Sequence, residues 1–182
     1  MLKQRTLIQA LLAATLVIGL LGFSSFAHWY KAWMDEWGPG WHATAWPFLR
    51  DGFPPGRAWR NGDLTVYVRP KLGFCGNCDT GVVDDSEVDQ VTDVDLLDEK
   101  FTPVGTGSRI RITDLFGRAR LYNISTRDGT RTVEGIAVNY KCDLIVALAV
   151  GKVDDPGVRK EVHEFIESNT VQVWLNRQLE GR

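Results

Sequence analysis

Between Thr6 and Ala27 the chain carries no charged residue, only Leu, Ile, Val, Ala and Gly with scattered polar and aromatic positions, and Lys3 and Arg5 stand just before it. About 20 apolar residues rising roughly 1.5 Å each cross roughly 30 Å of hydrocarbon, so this run has the length of a bilayer span. The two leading cations favour the cytoplasmic side, which sends the rest of the chain to the other side. A buried helix of a soluble protein seldom goes so far without a charge.

A cleavable signal peptide reaches the same compartment. Ser25-Phe26-Ala27 supplies small residues at the positions a signal peptidase reads, with cleavage before His28 and a secreted product. The retained anchor is preferred because Trp29, Trp33 and Trp37 recur every four residues directly after the run. On a continued helix they share one side at headgroup level, where amphipathic indoles are favoured. The expected organisation is a transmembrane anchor or signal peptide over 1–27, a Trp-, Pro- and Gly-rich juxtamembrane connector over 28–63, and an extracytoplasmic α+β domain over 64–182. Gly38-Pro39-Gly40 ends any helix continuing from Trp29. The aromatic density from Trp41 to Trp59 is too high for a free linker, and predicts packing on the domain or on the membrane surface.

Leu64 to Arg69 alternates apolar and polar residues and reads as a half-buried strand. Four further strands are expected at Arg109 to Thr113, Arg118 to Ser125, Thr130 to Tyr140 and Cys142 to Val150. The short connections, Asp128-Gly129 among them, favour an antiparallel meander. Leu144 to Val150 has no polar face, which predicts a central strand covered on both sides. Asp155 and Pro156 form a helix start, followed by Val158, Val162, Phe165 and Ile166 on one stripe. A second helix from near Asn169 repeats the spacing with Val171, Trp174, Leu175 and Leu179. Strands followed by helices, without βαβ alternation, define an α+β fold: an antiparallel meander sheet packed by C-terminal helices and preceded by an N-terminal transmembrane helix.

Cys75, Cys78 and Cys142 are the only soft ligands or thiols. Asp79 follows Cys78 where c-type haem attachment needs His. The acids beyond it oppose the lowered thiol pKa that redox catalysis requires. A zinc site would need all three cysteines and one of His28, His42 or His163, and a second paired ligand motif is missing. The metal assignment stays unknown and no cofactor is expected. A disulfide from Cys75 or Cys78 to Cys142 suits an oxidising compartment.

Asp84 to Glu99 holds eight acidic residues and no Lys or Arg; with the whole chain at −2, the remainder stands at +6. Asp84, Asp85, Glu87, Asp89, Asp93 and Asp95 could serve as an acidic docking surface or a hard-cation site, although no EF-hand order is present. The preferred reading pairs them with Arg109, Arg111, Arg118, Arg120, Arg127 and Arg131, because Val88, Val91, Val94, Leu96 and Leu97 punctuate the acids and imply packing.

The chain lacks a nucleophile elbow, a phosphate-cradling glycine loop and a His-Glu-x-x-His motif, and it has no basic stripe suited to nucleic acid. The function expected is a membrane-tethered accessory or interaction protein acting with a protein partner in a membrane assembly. A thiol-disulfide or metal-handling role of Cys75, Cys78 and Cys142 is the alternative, and carboxylate-based hydrolysis a weaker third.

Overall fold

The computed structural model describes residues 22, 24–27, 29, 40–48, 52–73, 82 and 84–180, and the chain forms two compact units, Met1–His42 and Ala43–Arg182. In the first unit Gly22, Ser24 to Ala27 and Trp29 are helical. Phe26 and Trp29 are exposed, with ring centroids 6.0 Å apart. Among the described residues no helix is long and apolar enough to cross a membrane. Most of the expected span, residues 6–21 and 23, falls outside the described residues, as do Trp33 and Trp37.

The second unit is built on a seven-stranded sheet in the order β1-β2-β3-β7-β6-β5-β4. The strands are β1 (His42–Thr44), β2 (Arg57–Asn61), β3 (Leu64–Lys71), β4 (Phe101–Ile112), β5 (Leu115–Thr126), β6 (Gly129–Tyr140) and β7 (Asp143–Val150). Every pairing from β2 to β4 across the sheet is antiparallel. The meander β4 to β7 closes onto β3, which places the unbroken apolar run of β7 in the centre, as its composition predicts. Among the described residues, three helical elements flank the sheet: α1 (Asp85–Val91) with a 3₁₀ turn at Asp93–Leu96, then α2 (Pro156–Glu167) and α3 (Asn169–Glu180).

Side chains alternate between faces along each strand, so the register sorts them into two layers. One face carries Tyr67, Arg69 and Lys71 from β3 beside Leu148, Val146 and Leu144 from β7. It continues through Val133 and Ala137 to Tyr122 and Ile124. Val88, Val91 and Val94 of α1 and the 3₁₀ turn pack into it. The opposite face presents Val66 and Val68, Ala147 and Ala149, Ile136 and Val138, and Ala119 to the C-terminal helices. Val162, Phe165 and Ile166 of α2 and Val171, Leu175 and Leu179 of α3 are buried there, on the stripes their spacing predicts. Asp155 caps α2 by accepting the Gly157 N–H at 2.7 Å, with Pro156 opening the helix.

Three strands depart from expectation, the short β1 within the expected connector being the first. Arg57–Asn61, also within the expected connector, is a strand. It lacks clear alternation and gains its conformation by pairing with β3 around the tight turn Gly62-Asp63, Gly62 taking a φ of 57°. β4 begins at Phe101, eight residues before the expected Arg109, because Phe101–Val104 pair with β5 as Ser108–Ile112 do, despite the poor strand propensity of Pro103 and of the glycines 105 and 107 in the bulge between them. The aromatic segment before β2 packs on the domain, Trp46 and Phe48 meeting Tyr67 edge-on at 6.1 and 5.0 Å.

Candidate functional site

A connected polar cluster lies where α1 crosses β4 and β5. α1 starts there because Asp84 accepts the Glu87 N–H at 2.9 Å while Glu87 accepts the Asp84 N–H at 3.2 Å, a reciprocal capping box. Asp85 and Asp89, one turn apart, then face the sheet. Asp85 takes the Arg118 guanidinium and accepts the Gly107 N–H at 3.1 Å on both carboxylate oxygens. Asp89 accepts from Arg120 Nη1 at 2.7 Å and from the Tyr122 hydroxyl at 2.8 Å. The same arginines reach β4, Arg118 donating to Gly107 O at 3.1 Å and Arg120 to Gly105 O at 3.0 Å. A register shift between Val104 and Ser108 forms a bulge there, and Gly105 adopts a φ of 64°. Helix, bulge and β5 are thereby braced together.

The Gly107 N–H, and then the Arg118 charge, hold the Asp85 carboxyl below the usual carboxylate range. The Glu87 N–H does the same for Asp84, and the Lys100 and Ser125 N–H groups for Asp98. Burial, reinforced by Asp89, raises the Tyr122 hydroxyl far above its ordinary value. Depressed carboxylates stabilise the folded state above their unfolded pKa, about 3.9, and that contribution is lost as pH falls through the lowered folded values. Thermal melts are expected to fall steeply below about pH 4. The Asp85→Asn variant is expected to melt lower at neutral pH with a shallower acid slope; an unchanged slope would remove Asp85 from this account.

The other acids are placed differently. Asp93 is buried beneath the sheet face, bonded to Arg69 through both carboxylate oxygens and to Lys71 Nζ at 2.7 Å. Asp95 is exposed. Thus Asp84, Asp85, Glu87, Asp89 and Asp93 all engage partners within the domain, and the counter-charges are Arg69, Lys71, Arg118 and Arg120. Arg69 and Lys71 are not among the expected counter-charges; their alternation with Tyr67 on β3 is the sequence signal for them.

Beyond that cluster, toward the end of the β4–β5 hairpin, the same face carries Arg109, Arg111 and Phe116. Phe116 is 50 % exposed, with the Arg109 and Arg111 guanidinium carbons 4.9 and 5.7 Å from its ring centroid. Arg111 also pairs with Asp114 at 2.7 Å, an exposed pair worth little.

On the opposite face His163 Nε2 lies 3.1 Å from Glu134 Oε1, and Glu134 is 2 % exposed. Glu134 stands opposite Ala149 in the register, seven residues along β7 from Cys142. That is about 20 Å of strand, so His163 and Cys142 are not brought together. Cys75 and Cys78 lie outside the described residues. Cys142, exposed in the β6–β7 turn, is bonded through its sulfur and is not a free thiol. The described residues on either side of 74–81 bond near that turn: the Gly73 N–H donates to Asp143 Oδ1 at 2.7 Å, and the Val82 N–H to Asn139 Oδ1 at 2.9 Å.

These features define a three-layer α+β domain, an antiparallel sheet between two helical layers. No protein family model matches the chain, and no curated protein matches it.

Proposed function

We propose that this chain is a membrane-tethered interaction protein whose α+β domain works outside the cytoplasm. The observation that carries the reading is the setting of Cys142. Its sulfur is engaged, and Gly73 and Val82, which precede and follow Cys75 and Cys78 in the chain, donate hydrogen bonds to Asp143 and Asn139 at the β6–β7 turn. That arrangement supports a Cys142 bridge to Cys75 or Cys78, of the kind that persists in oxidising compartments. The charge-free run before Ala27 supplies export and anchoring. An interaction role, rather than catalysis, is supported by the exposed Arg109, Arg111 and Phe116 at a sheet edge, while the acids of α1 are taken up in bracing the fold.

The test is alkylation of full-length protein purified from membranes, read by mass spectrometry. With three cysteines in the chain, one is expected to react before reduction and all three after it. Three reactive thiols in the untreated protein would overturn the extracytoplasmic assignment. Three reactive thiols with bound metal would favour the metal-handling alternative. Native-size measurement after mild detergent extraction is expected to give a particle larger than the chain and its detergent belt; a bare monomer under every extraction condition would overturn the interaction role.

A further inference from the structure

We infer that the Ser108–Ile112 stretch of β4 is a docking edge for an extended partner segment bearing carboxylates at alternate positions, a deepening that rests on the interaction role proposed above. The sheet has two ends of different kinds. β1 ends one side after three residues, while β4 ends the other with twelve, and among the described residues no strand lies beyond it. A long open edge presents a row of backbone donors and acceptors to any strand of suitable chemistry.

The register tells which groups are presented. Thr113 and Asp114 form a two-residue turn between Ile112 and Leu115. The pair flanking such a turn is hydrogen-bonded, and bonded and non-bonded pairs alternate away from it. Arg111 with Phe116 and Arg109 with Arg118 are therefore the non-bonded pairs. The backbone N–H and C=O of Arg109 and Arg111 consequently point away from β5, toward an incoming strand.

Those two residues also set the side-chain chemistry. Their guanidinium groups share the α1 face of the sheet and gather over Phe116. An incoming strand opposes them with residues two apart, so one carboxylate meets Arg109 directly and the next competes with the exposed Asp114 for Arg111, the favourable cross-strand pairing. Its intervening residues turn to the other face beside Ile110, which is half-buried, and favour apolar side chains. The edge is held in shape for this: the bulge is braced by Asp85, Arg118 and Arg120, and the Thr113 N–H in the turn is held by Glu167 at 2.9 Å. Pro103 and the glycines of the bulge confine the usable length to Ser108–Ile112.

A second copy of this chain is a poor occupant. Continuing the sheet by antiparallel pairing of β4 with its twin about Ile110 sets Arg109 against the other copy's Arg111, and like charges directly opposed are destabilising. Free polyanions lack the strand pattern, which separates them experimentally.

The probe is a fluorescein-labelled decapeptide of alternating Glu and Val, titrated by anisotropy against the full chain in detergent. Its comparators are a peptide of the same composition with the acids clustered and one of alternating Lys and Val. The alternating acidic peptide is expected to bind, at least about tenfold more tightly than either comparator, and the Arg109→Glu/Arg111→Glu variant to lose about tenfold or more. Arg127→Glu/Arg131→Glu, two arginines away from the edge, is expected to bind as the parent does. Circular dichroism melts report whether each variant folds, and the charge-neutral Arg109→Gln/Arg111→Gln variant is to show an intermediate loss should the reversal variant not fold. Equal binding of the clustered peptide, or full binding by both edge variants, would overturn the inference.

Particle size in detergent separates this result from the parent reading. A larger particle retained by the edge variants keeps the interaction role and rejects this edge. Arg-dependent peptide binding by a strictly monomeric protein keeps the edge and rejects the membrane assembly.

Discussion

Replacing Asp93 by Ala is expected to destabilise the domain by about 3–5 kcal/mol, the usual result of removing one partner from a buried ion pair. Asp93 is 3 % exposed and serves two cations that are themselves buried, Arg69 at 3 % and Lys71 at 6 %. Arg69 Nη2 donates to it at 2.6 Å, and Lys71 Nζ donates at 2.7 Å both to it and to Val91 O. The surroundings are aromatic: Trp46 lies 5.9 Å from the Arg69 guanidinium carbon, and Phe53 lies 5.3 Å from it and 5.4 Å from Lys71 Nζ. Without the carboxylate, both cations stay in a poorly solvated layer and the 3₁₀ turn loses its attachment to β3. Urea denaturation measures the change. A triple replacement of Arg69, Lys71 and Asp93 by Met, Met and Leu is expected to cost less than Asp93→Ala alone, because no charge then remains to desolvate. A single variant within about 1 kcal/mol of the parent would show that the cations escape to water, contrary to their burial.

Trp59→Ala is expected to cost a comparable amount, about 3–5 kcal/mol. Trp59 is 1 % exposed and projects from β2 onto the layer of C-terminal helices. It meets Phe165 of α2 at 5.7 Å and Trp174 of α3 at 5.5 Å, both edge-on, the arrangement aromatic quadrupoles favour. The residue therefore joins β2 to both helices at one point, and the cavity left by Ala cannot be filled by any one of them. Trp59→Phe is expected to recover part of the loss, and hydrogen exchange is expected to show β2 and α3 losing protection together. Exchange confined to β2 would mean the helices hold their places without it.

Much of the sheet was legible because its signals are local. The central place of β7 follows from an apolar run with no polar face, and the hairpins from short turns. The caps and stripes of α2 and α3 follow from Asp155, Pro156 and the spacing of their apolar residues. The first half of β4 and all of β2 were not legible, since Gly, Pro and irregular polarity there conceal strands that exist only by pairing with a neighbour.

The candidate site divides the same way. Segregation of charge into an acidic stretch and arginine-bearing strands is a property of the residue order, and it required the two to meet. Which carboxylate meets which cation is set by register, a matter of how α1 lies across β5. That packing gives Asp85 to Arg118, Asp89 to Arg120, and Asp93 to Arg69 and Lys71. Local sequence thus determined the elements, their order and the sign of each surface, because turn chemistry and periodicity act within a few residues. Only the tertiary structure decided which strand became the outermost one and which cation each acid of α1 and the 3₁₀ turn meets, because strand pairing and helix docking join residues far apart in the chain.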